Sequence, residues 1–188
     1  MVDEAEIKKA VGVIIKAIGE DPKREGLQGT PRRFAEMYTE LFAGLDKDPI
    51  EELKVDYELG HREMVILKSI PFYSMCEHHF LPFYGVVHIG YIPNEEGRVV
   101  GISKLARVVE IVAKRPQIQE RMATDIADAV AEGLKPDGVA VVIQAEHMCM
   151  IMRGIKKPGS SVITSALRGS FRRKAASRAE FFSLIKDK

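Results

Sequence analysis

The sequence predicts an α+β fold, in which two N-terminal helices precede a four-stranded antiparallel sheet with two helices on one face. Apolar residues recur at the roughly 3.6-residue period of helices before residue 46, and strand-like runs begin after residue 63. Two pairs of predicted strands flank a pair of predicted helices, an order that favours an antiparallel sheet with its helices on one side. The 188 residues allow one domain of ordinary size and an extension. We place a helical extension at residues 1–58 and the main domain at residues 59–188.

Both N-terminal helices are predicted from their ends and their apolar stripes. Asp3 with Glu6 forms an N-terminal cap, and Gly19 ends the first helix. Thr30 caps the second helix, and Pro31 takes its first position. The stripes are interpreted as packing surfaces: Ile7, Ala10, Val11, Ile14, Ile15 and Ile18 in the first helix, and Phe34, Met37, Tyr38, Leu41, Phe42 and Leu45 in the second.

The main domain alternates strand pairs and helices. Four strands are predicted, at residues 64–70, 83–92, 138–146 and 161–167. Between the two pairs, Ser103 caps one helix, and a break at Pro116 separates it from the next. A short helix at roughly residues 175–185 ends the chain.

Each of the two cysteines lies close to histidine, in Cys76-Glu77-His78-His79 and in His147-Met148-Cys149. Thiolate and imidazole are preferred ligands of zinc, and each segment is too small to hold a metal alone. The pattern therefore predicts one Zn²⁺ site that is assembled by folding. The alternative is two unrelated core cysteines, the usual state of a free cysteine. A disulfide is less favoured, because nothing marks the chain as secreted.

The spacing leaves two kinds of zinc site open. Cys76 and His79 share a face in a helical turn, and His147 and Cys149 share a face in an extended segment. If all four residues bind, the site is closed and structural. If Cys76, His79 and Cys149 bind, the fourth position is left for water, which is the catalytic pattern.

Composition and charge narrow the functional class. A hydrophobic content of 46% with 29% charged residues is typical of a globular chain, and the net charge of +1 gives no bulk electrostatic case for nucleic acid. The acidic N-terminus and the lack of a long apolar run predict a cytoplasmic protein with no membrane partner. Residues 147–179 carry eight Lys or Arg and no Asp or Glu. This stretch is either a solvated face or an anion site for a phosphorylated substrate.

Several short blocks occur in order from about residue 30 to the C-terminus: Thr30-Pro31-Arg32-Arg33, Ser74-Met75-Cys76-Glu77-His78-His79, Gly101-Ile102-Ser103-Lys104-Leu105-Ala106-Arg107, Arg115-Pro116-Gln117-Ile118-Gln119-Glu120-Arg121, Glu146-His147-Met148-Cys149 and Met152-Arg153-Gly154. Together they resemble the GTP cyclohydrolase I family in its zinc-dependent form. The resemblance implies the family's tunnelling fold, a four-stranded antiparallel sheet backed by two helices. It also implies a ring-forming homo-oligomer, a decamer of two stacked pentamers with active sites shared between subunits.

The resemblance selects the open metal site and implies a role for each matching residue. The zinc ligands would be Cys76, His79 and Cys149. The catalytic groups would be His78 and His147, acting as acid and base, and the hydroxyl of Ser103. GTP would be held by Glu120 as the guanine anchor, with Gln119 beside it. The implied triphosphate ligands are Lys104, Arg107, Arg153 and Arg33.

The implied reaction begins with attack of zinc-activated water on C8 of GTP, since zinc lowers the pKa of bound water to about 7. The imidazole ring opens, formate leaves, and an Amadori-type rearrangement and reclosure give 7,8-dihydroneopterin triphosphate. This is the first step of folate and pterin biosynthesis. Two other classes stay open: a non-catalytic zinc-stabilised module that binds nucleotides, and another tunnelling-fold enzyme acting on a pterin or a deazaguanine.

Overall fold

The N-terminal segment forms the two predicted helices. The computed structural model describes residues 2–54 and 56–186, with only the backbone of Asp56. Helix α1 (Glu4–Ala17) begins where the Asp3 carboxylate accepts hydrogen bonds from two backbone N–H groups, as predicted. After the short helix α2 (Glu25–Gln28), helix α3 (Thr30–Leu41) has Gly29 at its N-cap. The predicted cap at Thr30 is wrong by one residue, because the Thr30 hydroxyl accepts from the Arg33 guanidinium instead.

The apolar stripe of α1 is narrower than predicted. Val11 and Ile15 are buried, whereas Ile14 and Ile18 are 55% and 71% exposed. The reason is that α1 packs mainly against α3, so only one edge of its stripe is covered.

Residues 49–58 connect the N-terminal helices to the main sheet. A 3₁₀ helix (Pro49–Leu53) places Leu53, which is 1% exposed, in the main hydrophobic core. Strand β1 (Asp56–Glu58) then pairs with strand β4 (Arg98–Val100) in a small antiparallel sheet that the sequence did not predict. The domain boundary after residue 58 stays a prediction.

The main sheet contains the four predicted strands, antiparallel and in the order β2-β3-β6-β7. Their bounds are Val65–Cys76, Pro82–Ile92, Gly138–His147 and Val162–Gly169. Strand β2 continues six residues past its predicted end at residue 70, so Cys76 ends a strand and does not lie in the connection. A fifth strand, β5 (Pro116–Gln117), pairs parallel with the end of β2 and was not predicted. Two residues are too few for a periodic pattern, so β5 leaves no signal in the sequence.

Two helices cover one face of this sheet, as predicted. Helices α4 (Ile102–Ala113) and α5 (Gln119–Leu134) pack on the strands around Ile89 and Tyr91, which are fully buried. Helix α4 has Gly101 at its N-cap and no side-chain cap. The predicted cap at Ser103 is therefore wrong, because the chain enters the helix before that residue and Ser103 lies in its first turn.

The opposite face is partly covered by the C-terminal helix. After β7, a short helix α7 (Ser170–Arg173) leads into α8 (Ala175–Ile185), which has the predicted bounds. Phe181 of α8 is fully buried in a second core with Val142. Its ring lies against Gly90 of β3, where an added Cβ would come within 2.7 Å of it. Of the helices in the described part of the chain, none combines the length and apolar character needed to span a bilayer.

Candidate active site

Strand register brings the two Cys/His segments together. Phe83 of β3 lies opposite Ser74 of β2 on one side and opposite His147 of β6 on the other. Because β2 and β6 both run antiparallel to β3, they run parallel to each other and end at the same edge of the sheet. Cys76 and Cys149 each follow this shared row by two residues. This one row of paired residues therefore brings the two Cys/His segments together, although they are far apart in the sequence.

Three side chains that could bind one metal ion converge at this edge. The Sγ atoms of Cys76 and Cys149 and a ring nitrogen of His79 all lie within 4.8 Å of one another. Cys76 ends β2, and the Phe80 backbone N–H donates to its carbonyl at 2.8 Å, which closes the predicted helical turn. Cys149 lies in the short helix α6 (Met148–Ile151). The predicted extended segment from His147 to Cys149 is therefore wrong, because the strand ends at His147.

The donor set fits a zinc ion with one open position. Two sulfurs and one imidazole nitrogen form a known catalytic zinc set, and two sulfurs bound to one zinc at about 2.3 Å lie roughly 3.8 Å apart. The observed spread is close enough for small side-chain movements to reach that geometry. Burial raises the pKa of the Cys149 thiol, and the neighbouring Cys76 thiol raises it further. A bound cation would offset this cost, since it favours the thiolate.

His147 is held on the sheet and not among the metal donors. Its ring stacks on Phe83 with a centroid distance of 4.7 Å and an interplanar angle of 3°. Its Nε2 lies 2.7 Å from Oε1 of Gln119, the buried first residue of α5. Burial lowers the pKa of His147, although the carboxylate of Glu120 opposes this shift. The imidazole is therefore neutral near pH 7.

The surroundings of Gln119 define which nitrogen of His147 carries the proton. The Gln119 amide nitrogen has three acceptors: the carbonyls of Ile143 at 3.1 Å and Val162 at 2.9 Å, and Oγ1 of Thr164 at 3.2 Å. The amide oxygen must therefore face His147 and accept from Nε2–H. In the neutral ring, Nδ1 is then the basic atom.

His78 and Arg153 lie next to the metal donors. His78 is 64% exposed, and its Nδ1 is 3.9 Å from Sγ of Cys76. The Arg153 guanidinium approaches Nε2 of His79 at 3.0 Å. Among the predicted phosphate ligands, Arg153 is therefore the one that contacts a residue of the Cys-His-Cys group.

The other predicted phosphate ligands lie elsewhere on the chain. Lys104 and Arg107 of α4 both pair with Glu52, at 3.1 Å and 3.5 Å. A hydrogen bond from Lys104 holds the pKa of Glu52 below its usual value. Arg33 donates to Thr30 and to the backbone of α2, and Ser103 is exposed. Within the described residues, no hydrogen bond or ion pair joins these side chains to the metal donors.

Sequence reasoning missed the polar residues that support the metal-binding turn. Glu77 forms an ion pair with Arg121, and the hydrogen bond from Arg121 lowers the pKa of the Glu77 carboxyl. Both residues stand inside recognisable sequence blocks, but they are 44 positions apart. Opposite charge was the only signal, and charge alone does not reveal a partner at that separation.

The fold and the site together define a class: an α+β protein with a Cys-His-Cys group able to hold a metal ion and a half-buried histidine close by. The sequence model of the family described as GTP cyclohydrolase I matches residues 7–186. The chain belongs to the GTP cyclohydrolase I family.

Curated relatives match the chain over all or nearly all of their length. GTP cyclohydrolase 1 of Dehalococcoides mccartyi is 76% identical, with 100% of both chains covered. GTP cyclohydrolase 1 of Carboxydothermus hydrogenoformans is 61% identical over 98% of this chain and 96% of the relative. A solved structure, the apo form of the archaeosine synthase QueF-Like, covers 56% of this chain and 93% of its own at 24% identity, with a TM-score of 0.45 that is too low to bear on the fold.

Proposed function

We propose that this protein is a GTP cyclohydrolase that converts GTP and water to formate and 7,8-dihydroneopterin triphosphate. The observation that carries the proposal is the convergence of Cys76, His79 and Cys149 beside His147, in a chain of this family. A tunnelling fold and a place in folate or pterin biosynthesis belong to the same proposal. A cytoplasmic location stays a prediction.

Cys76, His79 and Cys149 would hold a Zn²⁺ ion. When bound there, a zinc ion would supply the acidity that activates water near neutral pH. The donor atoms that lie within 4.8 Å of one another among the described residues come from Cys76, His79 and Cys149 and not from His147, which supports three protein ligands over four.

The two histidines next to the donors would move protons. His147 is neutral and presents a basic Nδ1, so it accepts a proton from the attacking water or the opening ring. His78 is exposed on the turn next to Cys76, so its side chain would be the one to deliver a proton to the leaving nitrogen and the ribose oxygen. Ser103 as an active-site hydroxyl stays a prediction.

Glu120 and Arg153 would bind opposite ends of the substrate. Glu120 lies in the first turn of α5 close enough to affect the pKa of His147, so it can accept from N1–H and the 2-amino group of guanine. Gln119 as a direct guanine contact stays a prediction, since its amide is already bonded to His147 and β-strand acceptors. Arg153 offers a forked donor for phosphate oxygens.

Lys104, Arg107 and Arg33 would complete the triphosphate site from a neighbouring subunit. Within the described residues these side chains have partners other than the donors, which supports a site shared in a homo-oligomer that we propose to be a decamer of two pentamers. A phosphate group would then replace Glu52 as the partner of Lys104 and Arg107.

The test is to incubate the purified protein with GTP and assay both formate and oxidised-pterin fluorescence, with and without a zinc chelator. Chelator-sensitive formation of both products is the expected result. Formate without pterin would indicate ring opening without reclosure and therefore a related reaction. Neither product from a folded, zinc-loaded sample would refute the proposal and favour the closed-site binding module.

A further inference from the structure

Arg121 joins the metal-binding turn to the start of α5. Its Nε donates to Oε1 of Gln117 at 3.0 Å, and its Nη2 donates to the carbonyl of Pro116 at 2.9 Å. The same Nη2 also pairs with Oε2 of Glu77. One guanidinium therefore holds both the β5 segment and the residue between Cys76 and His78.

Gln117 gives this arrangement a rigid base. Its side chain is 1% exposed, and its amide donates to the carbonyl of Val112 and to Oδ2 of Asp125, each at 3.2 Å. Its own carbonyl accepts from the Glu77 backbone N–H at 3.0 Å, and Gln117 pairs with Cys76 in the parallel ladder. Glu77 is thus fixed through both its backbone and its side chain.

The turn has few other supports near its donors. His78, His79 and Phe80 are all exposed, and the described packing of the turn on its far side comes through the Phe80 ring, 5.8 Å from that of Phe42. Without Arg121, the Glu77 side chain would lose its fixed partner next to Cys76, and the His79 ring would keep its contacts with the Arg153 guanidinium and with the ring of His78, 6.3 Å away between centroids.

We propose that Arg121 is a positioning residue, which acts through Glu77 to preset Cys76 and His79 at the spacing that Cys149 requires before a metal ion binds. The proposal rests on the metal-binding role of these three residues and not on which reaction follows. An ion pair that served only overall stability would contribute little at this exposure, and its loss would not change metal affinity selectively. Outer contacts of this kind typically change metal affinity by about 10- to 100-fold.

The experiment measures the zinc dissociation constant by competition with a chromophoric chelator, together with the melting temperature of the metal-free protein. Arg121→Met removes all the guanidinium contacts, and Glu77→Gln removes the charge while keeping the side-chain shape. We expect each to weaken zinc binding by about tenfold or more. The double variant should bind zinc no more weakly than the single variant with the lower zinc affinity, because both changes break the same contact between Arg121 and Glu77.

The matched control is Arg168→Met, since Arg168 is likewise an arginine that joins α5 to another element through an ion pair, here with Asp128 at 2.6 Å. It should leave the zinc dissociation constant unchanged even if it lowers the melting temperature. Zinc affinity within twofold of the parent in Glu77→Gln, or an equal loss in Arg168→Met, would overturn the proposal. Glu77→Gln decides the matter if Arg121→Met fails to fold. A parent protein that binds zinc through this arrangement but does not turn over GTP would refute the proposed function alone.

Discussion

The hydrogen bond between Gln119 and His147 shows how one buried amide can define the chemistry of a histidine. Gln119 is 1% exposed and is bonded on both its nitrogen and its oxygen. The nitrogen is anchored to strand carbonyls, so the amide cannot turn over without losing buried hydrogen bonds. Its oxygen can therefore only accept, and the proton of neutral His147 stays on Nε2.

Replacing Gln119 with leucine should harm both stability and turnover. Gln119→Leu leaves the carbonyls of Ile143 and Val162 without this donor, and a buried unsatisfied group costs about 1–3 kcal/mol. We expect the free energy of unfolding measured in urea to fall by about 2 kcal/mol. We also expect kcat to fall under conditions in which the variant is fully folded. Unchanged kcat in folded Gln119→Leu would contradict the role of this contact.

Mutation of a proposed metal ligand and of the proposed proton-transfer residue should have different effects on zinc content. Cys149→Ala removes one of three donors and should lose zinc and activity together. His147→Ala removes no donor and should keep zinc while turnover falls by about 100-fold or more. Metal content by mass spectrometry and formate release measure the two effects. Equal zinc loss in both variants would rule out the three-ligand assignment.

At the scale of elements, a short segment supplies the charged partner of cations on a long helix. The 3₁₀ helix Pro49–Leu53 buries Leu53 and thereby holds Glu52 against the cations of α4. Lys104 holds the pKa of Glu52 below the usual value for a glutamate. A carboxyl group whose pKa is lowered by folding stabilises the folded state above its unfolded pKa, and this contribution is lost as the pH falls through the folded value.

The stability of wild type relative to Glu52→Gln should therefore depend on pH. Wild type should be the more stable protein at neutral pH, and its advantage should shrink as the pH falls below about 4.5. Urea unfolding of both proteins at several pH values measures the difference. A difference that does not change with pH would show that the pair with Lys104 contributes nothing to folding.

Helix α8 depends on a glycine in the facing strand. An alanine at Gly90 would place its Cβ 2.7 Å from the Phe181 ring, so Gly90→Ala should lower the free energy of unfolding by about 1–3 kcal/mol. Gly12 lies inside α1 with open space around its Cβ position, so Gly12→Ala should raise it by about 0.5–1 kcal/mol. Thermal unfolding compares the two. Destabilisation by both changes would mean that the Phe181 contact is not the cause.

At the scale of the whole molecule, one chain leaves apolar side chains exposed and proposed site residues apart. Val13, Ile14 and Ile18 of α1 are exposed, and β2 and β7 lie towards the two sides of the main sheet. Lys104 and Arg107 pair with Glu52, and no hydrogen bond or ion pair among the described residues joins either cation to the Cys-His-Cys group. All of these features favour a protein that completes its surfaces and its site through copies of itself.

The proposed decamer predicts that light scattering gives a mass of about ten times the 21.0 kDa of one chain. A sharper test mixes His147→Ala with Arg107→Ala, each inactive alone. Refolding the two together should restore part of the activity, because some shared sites receive an intact residue from each partner. A fully active monomer, or no recovery in mixed oligomers, would contradict sharing of the site.

Much of this architecture could be predicted from the sequence, because long periodic segments carry a strong signal. The four main strands, the helix pair between them and the bounds of α8 follow from apolar periodicity. The caps at Thr30 and Ser103 were wrong, since a hydroxyl near a helix start does not reveal which residue begins the helix.

The metal donors could be predicted from residue type, but their geometry could not. Cys149 was expected in an extended segment and lies in a helical turn, because the strand ends at His147. The pairing of Glu77 with Arg121, and that of Glu52 with Lys104, depends on distant segments meeting in the fold. Local patterns carry no information about such contacts.

The row of Ser74, Phe83 and His147 across three strands also means that a metal ion held by Cys76, His79 and Cys149 would favour the correct strand register. Side chains alternate along a strand, so a one-residue slip of β6 would turn His147 away from Phe83 and move Cys149 by about 3.3 Å. A slipped chain would offer no coherent donor set. The ion would add its binding free energy only to correctly paired molecules, and metal supply during synthesis would then govern the yield of native protein.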